Sequence, residues 1–147
     1  MKRKLVSLGF AALFLASCSS DDSPSYEQSQ LLKKWYNVSS VIAGVEIPYE
    51  DHETCGKDYI EFLANGTANA VDVYSCEPGA TPSVDNTPYA LKGNKITVIS
   101  GDEINEFTIT KLDETTLHLR FRVDFDEDGD LDTITEKFTS VNSVTAK

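Results

Sequence analysis

The stretch TLHLRFRVDF, residues 116–125, alternates apolar and polar side chains without interruption. A period of two is typical of a β-strand with one buried face and one solvated face. The apolar set is expected to face a core and the polar set to face solvent: Leu117, Leu119, Phe121, Val123 and Phe125 inward, and His118, Arg120, Arg122 and Asp124 outward. The pattern predicts one strand of an antiparallel sheet.

Comparable strand patterns fill most of the chain, and a short amphipathic piece at residues 30–34 precedes them. We predict eight strands, at residues 35–42, 57–64, 67–76, 88–92, 95–99, 104–112, 116–125 and 133–141. Tight turns are expected at Asn65-Gly66, Gly93-Asn94 and Asp113-Glu114, and longer connections at 43–56, 77–82, 100–103 and after Phe125. The fold class is therefore all-β: an eight-stranded antiparallel up-and-down barrel, closed at the tight-turn end and open at the loop end.

The Asn65-Gly66 turn predicts which cysteines meet. A two-residue hairpin pairs Ala64 with Thr67, and in the same register Cys55 faces Cys76 with Cα atoms about 4.5 Å apart. A disulfide is expected, and the alternatives are two reduced, buried cysteines or a bulge that spoils the register count. This register also places Ile60, Phe62, Val71 and Val73 in the barrel interior.

The protein is acidic, with 13 basic and 24 acidic residues and a net charge of -11. That balance excludes nucleic acid as a partner, because phosphate binding requires clustered Lys and Arg. The segment between the last two strands resembles the first positions of a calcium loop, with carboxylates alternating before a glycine. We predict a weak Ca²⁺ site there, with a solvated hairpin loop as the alternative; its ligands are Asp124, Asp126, Asp128, Asp130 and Asp132.

The N-terminus resembles a bacterial lipoprotein signal, because a basic start and an apolar run end in Leu15-Ala16-Ser17-Cys18. Residues 1–17 are then a signal peptide, 18–28 a lipidated cysteine with a flexible tether, and 29–147 the barrel domain. Acyl chains such as palmitate on Cys18 would anchor the protein in the outer membrane of the cell envelope, facing either the periplasm or the surface. Residues 1–17 are too short for a membrane-spanning helix. The alternative is a secretory signal whose removal leaves Cys18 as a free thiol.

The ensemble of motifs resembles the lipocalin-like domains of bacterial lipoproteins. Residues 31–36, which include Trp35, residues 58–67 and 108–112, and the Cys55/Cys76 pair carry this resemblance. It implies that Trp35 caps the closed end and that the cup carries a small, mainly apolar ligand. The candidate ligand-binding residues are Phe62, Val73, Tyr89, Phe107 and Phe121. The alternative is an interior filled by its own side chains.

Catalysis is not expected, because His52 and His118 lie in no recognisable nucleophile motif. We expect no cofactor apart from the weakly bound Ca²⁺. Two function classes remain: a lipid-anchored carrier of a small apolar molecule, and an adhesion or scaffold module that binds a protein or glycan through its rim loops. The sequence does not identify a protein partner.

Overall fold

The computed structural model describes residues 24–142, within which one short helix and nine β-strands form. The helix is α1 (Gln28–Leu31). The strands are β1 (Lys34–Ile42), β2 (Val45–Pro48), β3 (Tyr59–Phe62), β4 (Thr67–Asp72), β5 (Ser83–Lys92), β6 (Lys95–Ser100), β7 (Glu103–Leu112), β8 (Thr116–Val123) and β9 (Asp132–Thr139). All neighbouring strands are antiparallel, and β1 pairs with β9 to close the sheet.

The closed wall consists of β1 and β3 to β9, which confirms the eight-stranded antiparallel up-and-down barrel. The additional strand is β2, which was expected to be part of an irregular connection. It pairs with the second half of β1 through a tight turn at Ala43-Gly44. The strand was not predicted because it is only four residues long and ends in a proline, which is uncommon within strands.

The short connections at one end of the barrel lie where the sequence predicts them, but the opposite end contains one unexpected tight turn. Ser100 pairs with Glu103, so only two residues connect β6 to β7. The longer connections at this end are those leading into β3, β5 and β9. This end is the open mouth of the barrel.

The predicted register of β3 and β4 is wrong by one residue. Phe62 faces Ala68 and Tyr59 faces Val71, because the turn contains three residues, 64–66, instead of two. The Leu63 amide donates to the Thr67 carbonyl over 2.8 Å, and Gly66 adopts a φ of 82°, which only glycine adopts readily. The extra residue turns Ala68 and Ala70 inward and places Val71 and Val73 on the opposite face of the wall, where Val71 is still buried.

The closed end of the barrel is filled by packed side chains. Trp35 and Leu31 are both 0% exposed, and the Trp35 indole Nε1–H donates to the Leu31 carbonyl over 3.0 Å. Tyr26 is bound to this end through its amide, which donates to the Gly93 carbonyl over 3.1 Å. The core continues through ten residues: Leu31, Trp35, Phe62, Ala68, Tyr89, Ile96, Ile109, Leu117, Leu119 and Phe138. The position of Trp35 agrees with its expected role as the cap of the base.

Candidate functional site

A cavity of about 270 Å³ lies inside the barrel, above the packed base. Its wall is mainly apolar and includes Ile60, Phe62, Ala68, Ala70, Thr87, Ile96, Val98, Asn105, Phe107, Leu119, Phe121, Glu136 and Phe138. Ten of these side chains are apolar and three are polar, a composition typical of sites for small apolar ligands. The interior is therefore not completely filled by its own side chains.

Glu136 is the acidic residue of this wall, and the sequence analysis did not single it out. It faces Leu119 across β8 and Ser40 across β1, and its Oε2 accepts a hydrogen bond from the Ser40 Oγ over 2.7 Å. The sequence alone could have indicated this position, because Glu136 is two residues from both Ile134 and Phe138 and therefore faces the same side of the strand as these inward residues. The mainly apolar cavity wall thus includes one acidic side chain.

Three of the five predicted ligand-binding residues line the cavity: Phe62, Phe107 and Phe121. Tyr89 lies lower, in the core, with its ring 4.9 Å from that of Phe62 and its hydroxyl bonded to the Leu63 carbonyl over 3.3 Å. Val73 is on the outer side of the wall beside Gly56, as the corrected register requires. Ala68 and Ala70 take the interior positions that were assigned to Val71 and Val73.

A second opening, the β7–β8 cleft, interrupts the barrel wall. The ladder between β7 and β8 ends at the pair Thr108 and Arg120, after a bulge near Lys111. Beyond that pair, among the residues described, β7 is paired with β6 alone and β8 with β9 alone. The cleft has a volume of about 800 Å³ and is lined by Ile104, Asn105, Glu106, Phe107, Thr108, Arg120, Phe121, Arg122, Val123 and Thr133.

On another side of the barrel, Asp58 joins the connection between β2 and β3 to the end of β4. Asp58 is 1% exposed, and its carboxylate accepts hydrogen bonds from the Val73 amide over 2.7 Å and from the Tyr49 hydroxyl over 2.8 Å. His52 Nδ1 lies 2.8 Å from the same carboxylate. Burial by itself would raise the pKa of Asp58, but these hydrogen bonds outweigh it and lower the pKa below its usual range.

Burial of the phenol is the largest cause that raises the pKa of Tyr49, and the hydrogen bond to the Asp58 carboxylate is the next largest. Asp72 completes a group with His52 and Asp58 whose possible ligand atoms all lie within 4.8 Å of one another. The Asp58 oxygens, however, are already bonded to protein donors. We interpret this cluster as a clasp that holds the loop against the wall.

The predicted disulfide between Cys55 and Cys76 is present, with Cα atoms 5.7 Å apart. The cysteines lie beyond the ends of β3 and β4, so the strict ladder used to predict them does not extend to them. The pairing is therefore confirmed, although the register behind it was wrong. The disulfide closes the same loop that Asp58 holds.

The predicted calcium ligands divide into two sets. Asp124, Asp126 and Asp128 offer carboxylate oxygens within 4.8 Å of one another, whereas Asp130 and Asp132 are outside this group. Several of the carboxylates bind the backbone of their own loop: Asp124 accepts from the Gly129 amide over 3.0 Å and Asp128 from the Asp130 amide over 2.8 Å. One oxygen of Asp124 is buried without a hydrogen-bond partner in the described part of the chain.

The signal peptide and Cys18 lie outside the described residues 24–142. Within that range, no helix has the length and apolar composition required to cross a membrane.

Three solved structures are similar to this chain. The chain is similar in structure to a lipocalin-like protein from Bacteroides uniformis, with a TM-score of 0.54 and 16% identity over 76% of this chain and 99% of that one. It is also similar to a bovine lipocalin allergen, with a TM-score of 0.48 and 10% identity over 80% of this chain and 77% of that one. A bovine odorant-binding protein in complex with a selenium-containing odorant has a TM-score of 0.45 and 16% identity, over 84% of this chain and 78% of that one.

Among curated protein sequences, no significant match was found. The sequence model of the lipocalin-like domain family matches residues 31–119, which is more than half of the chain. The protein therefore belongs to the lipocalin-like domain family.

Proposed function

We propose that this protein binds and carries a small, mainly apolar molecule in its interior cavity, without catalysing a reaction on it. The observation that carries the proposal is the cavity of about 270 Å³ with ten apolar and three polar wall residues. Apolar surface drives such a ligand out of water, and a few fixed polar groups determine its orientation. Thr87, Asn105 and Glu136 are the groups placed to do so.

The proposal is tested by displacement titration with a fluorescent fatty acid. Ala70→Phe should abolish saturable uptake, because the added ring occupies the cavity that the Ala70 side chain lines. Asn69→Phe is the matched control, since Asn69 precedes Ala70 on the same strand and faces outward. Absence of saturable uptake by the wild type, or equal uptake by the two variants, would contradict the carrier function.

The alternative is an adhesion or scaffold module, and exposed apolar side chains near the mouth favour it. Ile104, Phe125 and Leu131 are 72%, 59% and 53% exposed. Exposed apolar patches can mark surfaces that bind other proteins. A barrel that takes up no apolar probe but still binds a protein or glycan through these loops would support this alternative.

We further propose that Cys18 carries a lipid that attaches the protein to the outer membrane. Tyr26 is bound at the closed end of the barrel, so a tether that continues from it leaves from the base. The mouth would then point away from the membrane. Surface exposure and a periplasmic orientation are distinguished by adding protease to intact cells.

The lipid attachment is tested with labelled palmitate and membrane fractionation. Cys18→Ala should take up no label and should be lost from the membrane fraction. The matched control is Cys55→Ala with Cys76→Ala, which removes two cysteines but leaves the attachment residue in place. A Cys18→Ala protein that remains processed and membrane-bound would refute the anchor.

We also propose that the loop after β8 binds Ca²⁺ weakly, with a dissociation constant of about 10⁻⁴ to 10⁻³ M as in extracellular modules. The support is the proximity of the Asp124, Asp126 and Asp128 carboxylates, whose mutual repulsion a divalent cation would relieve. Asp130 and Asp132 are the remaining candidates from the sequence, through a backbone carbonyl and a side chain respectively.

A further inference from the structure

The side chains that line the β7–β8 cleft are more basic than the rest of this acidic protein. Arg120 and Arg122 both line it, and they are the only arginines among residues 24–142. Arg122 is held beside the cleft by its Nη2, which donates to the Leu131 carbonyl over 3.1 Å. Arg120 has no salt-bridge partner in the same range. A guanidinium binds a carboxylate through two parallel hydrogen bonds, so this pair is suited to an anionic group.

The other polar groups of the cleft do not cancel this preference. Glu106 also lines it, but its carboxylate is paired with the Lys95 ammonium over 2.5 Å. Thr108 and Thr133 add hydroxyl donors next to the arginines. The acidic loop after β8 begins next to the cleft, and its Leu131 carbonyl accepts the hydrogen bond from Arg122. The two guanidinium groups are therefore the groups of this side that attract an anionic head.

The cleft and the interior cavity are separated by a pair of aromatic rings. Asn105, Phe107 and Phe121 belong to the walls of both spaces. The rings of Phe107 and Phe121 meet edge to face with centroids 5.2 Å apart, and both rings line the two spaces. Glu136 lies on the cavity side and would repel an anionic group that moved inside.

We propose that the β7–β8 cleft is a lateral portal for a single-chain amphiphile with a carboxylate head. The apolar tail passes Phe107 and Phe121 into the cavity, and the head remains outside between Arg120 and Arg122. This proposal rests on the proposed carrier function and names the ligand class and its route. Ligand enters through the side of the barrel, between β7 and β8.

The cavity volume sets the length of the tail. A volume of 270 Å³ equals that of about nine water molecules at about 30 Å³ each. A methylene group is of similar size, so a chain of about eight to ten carbons fills the cavity. Affinity should rise about fourfold with each added methylene and level off near that length.

The test is isothermal titration of the purified full-length protein with decanoate, decanol and decylamine, which share one chain and differ in head charge. Decanoate should bind more tightly than decanol, and the difference should shrink as ionic strength rises. Arg120→Gln with Arg122→Gln should weaken decanoate binding about five- to tenfold, because two partly exposed ion pairs are lost. The same variant should bind decanol as the wild type does, which also shows that it is folded.

The matched control is Lys92→Gln with Lys111→Gln, which removes the same charge at residues that do not line the cleft. It should keep the preference for decanoate. Equal decanoate binding by wild type and the arginine variant, with decanol still bound, would overturn the portal and leave the carrier function standing. A preference for decylamine would overturn it in favour of Glu136 as the head-binding group. Failure of all three ligands to bind would reject both proposals.

Discussion

Replacing Asp58 by alanine should destabilise the barrel more than any exposed acidic substitution. The change removes the acceptor of the Val73 amide and of the Tyr49 hydroxyl, at a position that is 1% exposed. It also frees the loop that the disulfide closes. The clasp should therefore loosen while the core at the opposite end remains packed.

The magnitude follows from the bonds that are lost. Each hydrogen bond to a charged acceptor contributes about 1.5 to 3 kcal/mol. The contact with His52 is discounted because that side chain is 47% exposed. Removal of a buried charge recovers part of its desolvation penalty, so the net loss is about 3 kcal/mol. For a domain of this size that corresponds to a melting temperature lower by about 12 °C.

The pH dependence of this loss has a definite sign. The pKa of Asp58 is lower in the folded protein than in the unfolded chain, so its contribution is fully present above the unfolded value of about 3.9. It is lost as pH falls through the folded pKa. The difference in stability between wild type and Asp58→Ala should be constant from about pH 7 to 5 and should shrink below about pH 4.

The assay is differential scanning calorimetry of both proteins across that pH range. The matched control is Asp102→Ala, which changes an exposed turn residue and should have the same melting temperature as the wild type. The melting temperature of Asp58→Asn should lie between those of the wild type and Asp58→Ala, because the Asn carbonyl can still accept the hydrogen bond from the Val73 amide. A melting temperature of Asp58→Ala within about 2 °C of wild type, or an undiminished difference at about pH 3, would refute the clasp.

Three further predictions concern stability. Reducing the disulfide, which spans a sequence separation of 21 residues, should cost about 3 kcal/mol and lower the melting temperature by about 12 °C; a double Cys→Ser variant should not respond to reductant. Trp35→Phe should cost about 1 to 3 kcal/mol by chemical denaturation, because a smaller ring leaves space at a position that is 0% exposed and the Leu31 carbonyl keeps only the Lys33 amide as donor; an unchanged midpoint would show that the cap is dispensable. Calcium at about ten times its dissociation constant should raise the melting temperature by about 5 °C, and Asp126→Asn with Asp128→Asn should remove that gain.

The alternation of side chains predicted the barrel and most of its interior. Leu117 and Leu119 are buried, and Phe121 reaches the cavity, as the period of two requires. Glu136 could have been found by the same rule, because it lies between two inward residues of one strand. It was missed because only apolar residues were followed along that strand.

Features that depend on the geometry between strands could not be predicted in this way. An Asn-Gly sequence suits both a two-residue turn and a three-residue turn with a bulge, and only packing of the whole sheet decides between them. Because the turn has three residues, Ala70 lines the cavity in place of the predicted Val73. The β7–β8 cleft is similarly invisible to sequence patterns, because each of its strands alternates normally and only the extent of their pairing creates the opening.

Away from its base, the barrel wall opens between two pairs of strands, and only one of the two openings is covered within residues 24–142. This contrast supports the lateral portal. Where β1 parts from β3, the chain adds β2, a disulfide and the buried Asp58, and together they cover the wall. Where β7 parts from β8, the chain adds neither a strand nor a disulfide among residues 24–142, and Arg120 and Arg122 line the opening. Unpaired strand edges expose backbone groups that proteins normally protect. An opening that keeps such edges and adds complementary charge is therefore consistent with selection for passage of a ligand, which the titrations with the arginine variant test directly.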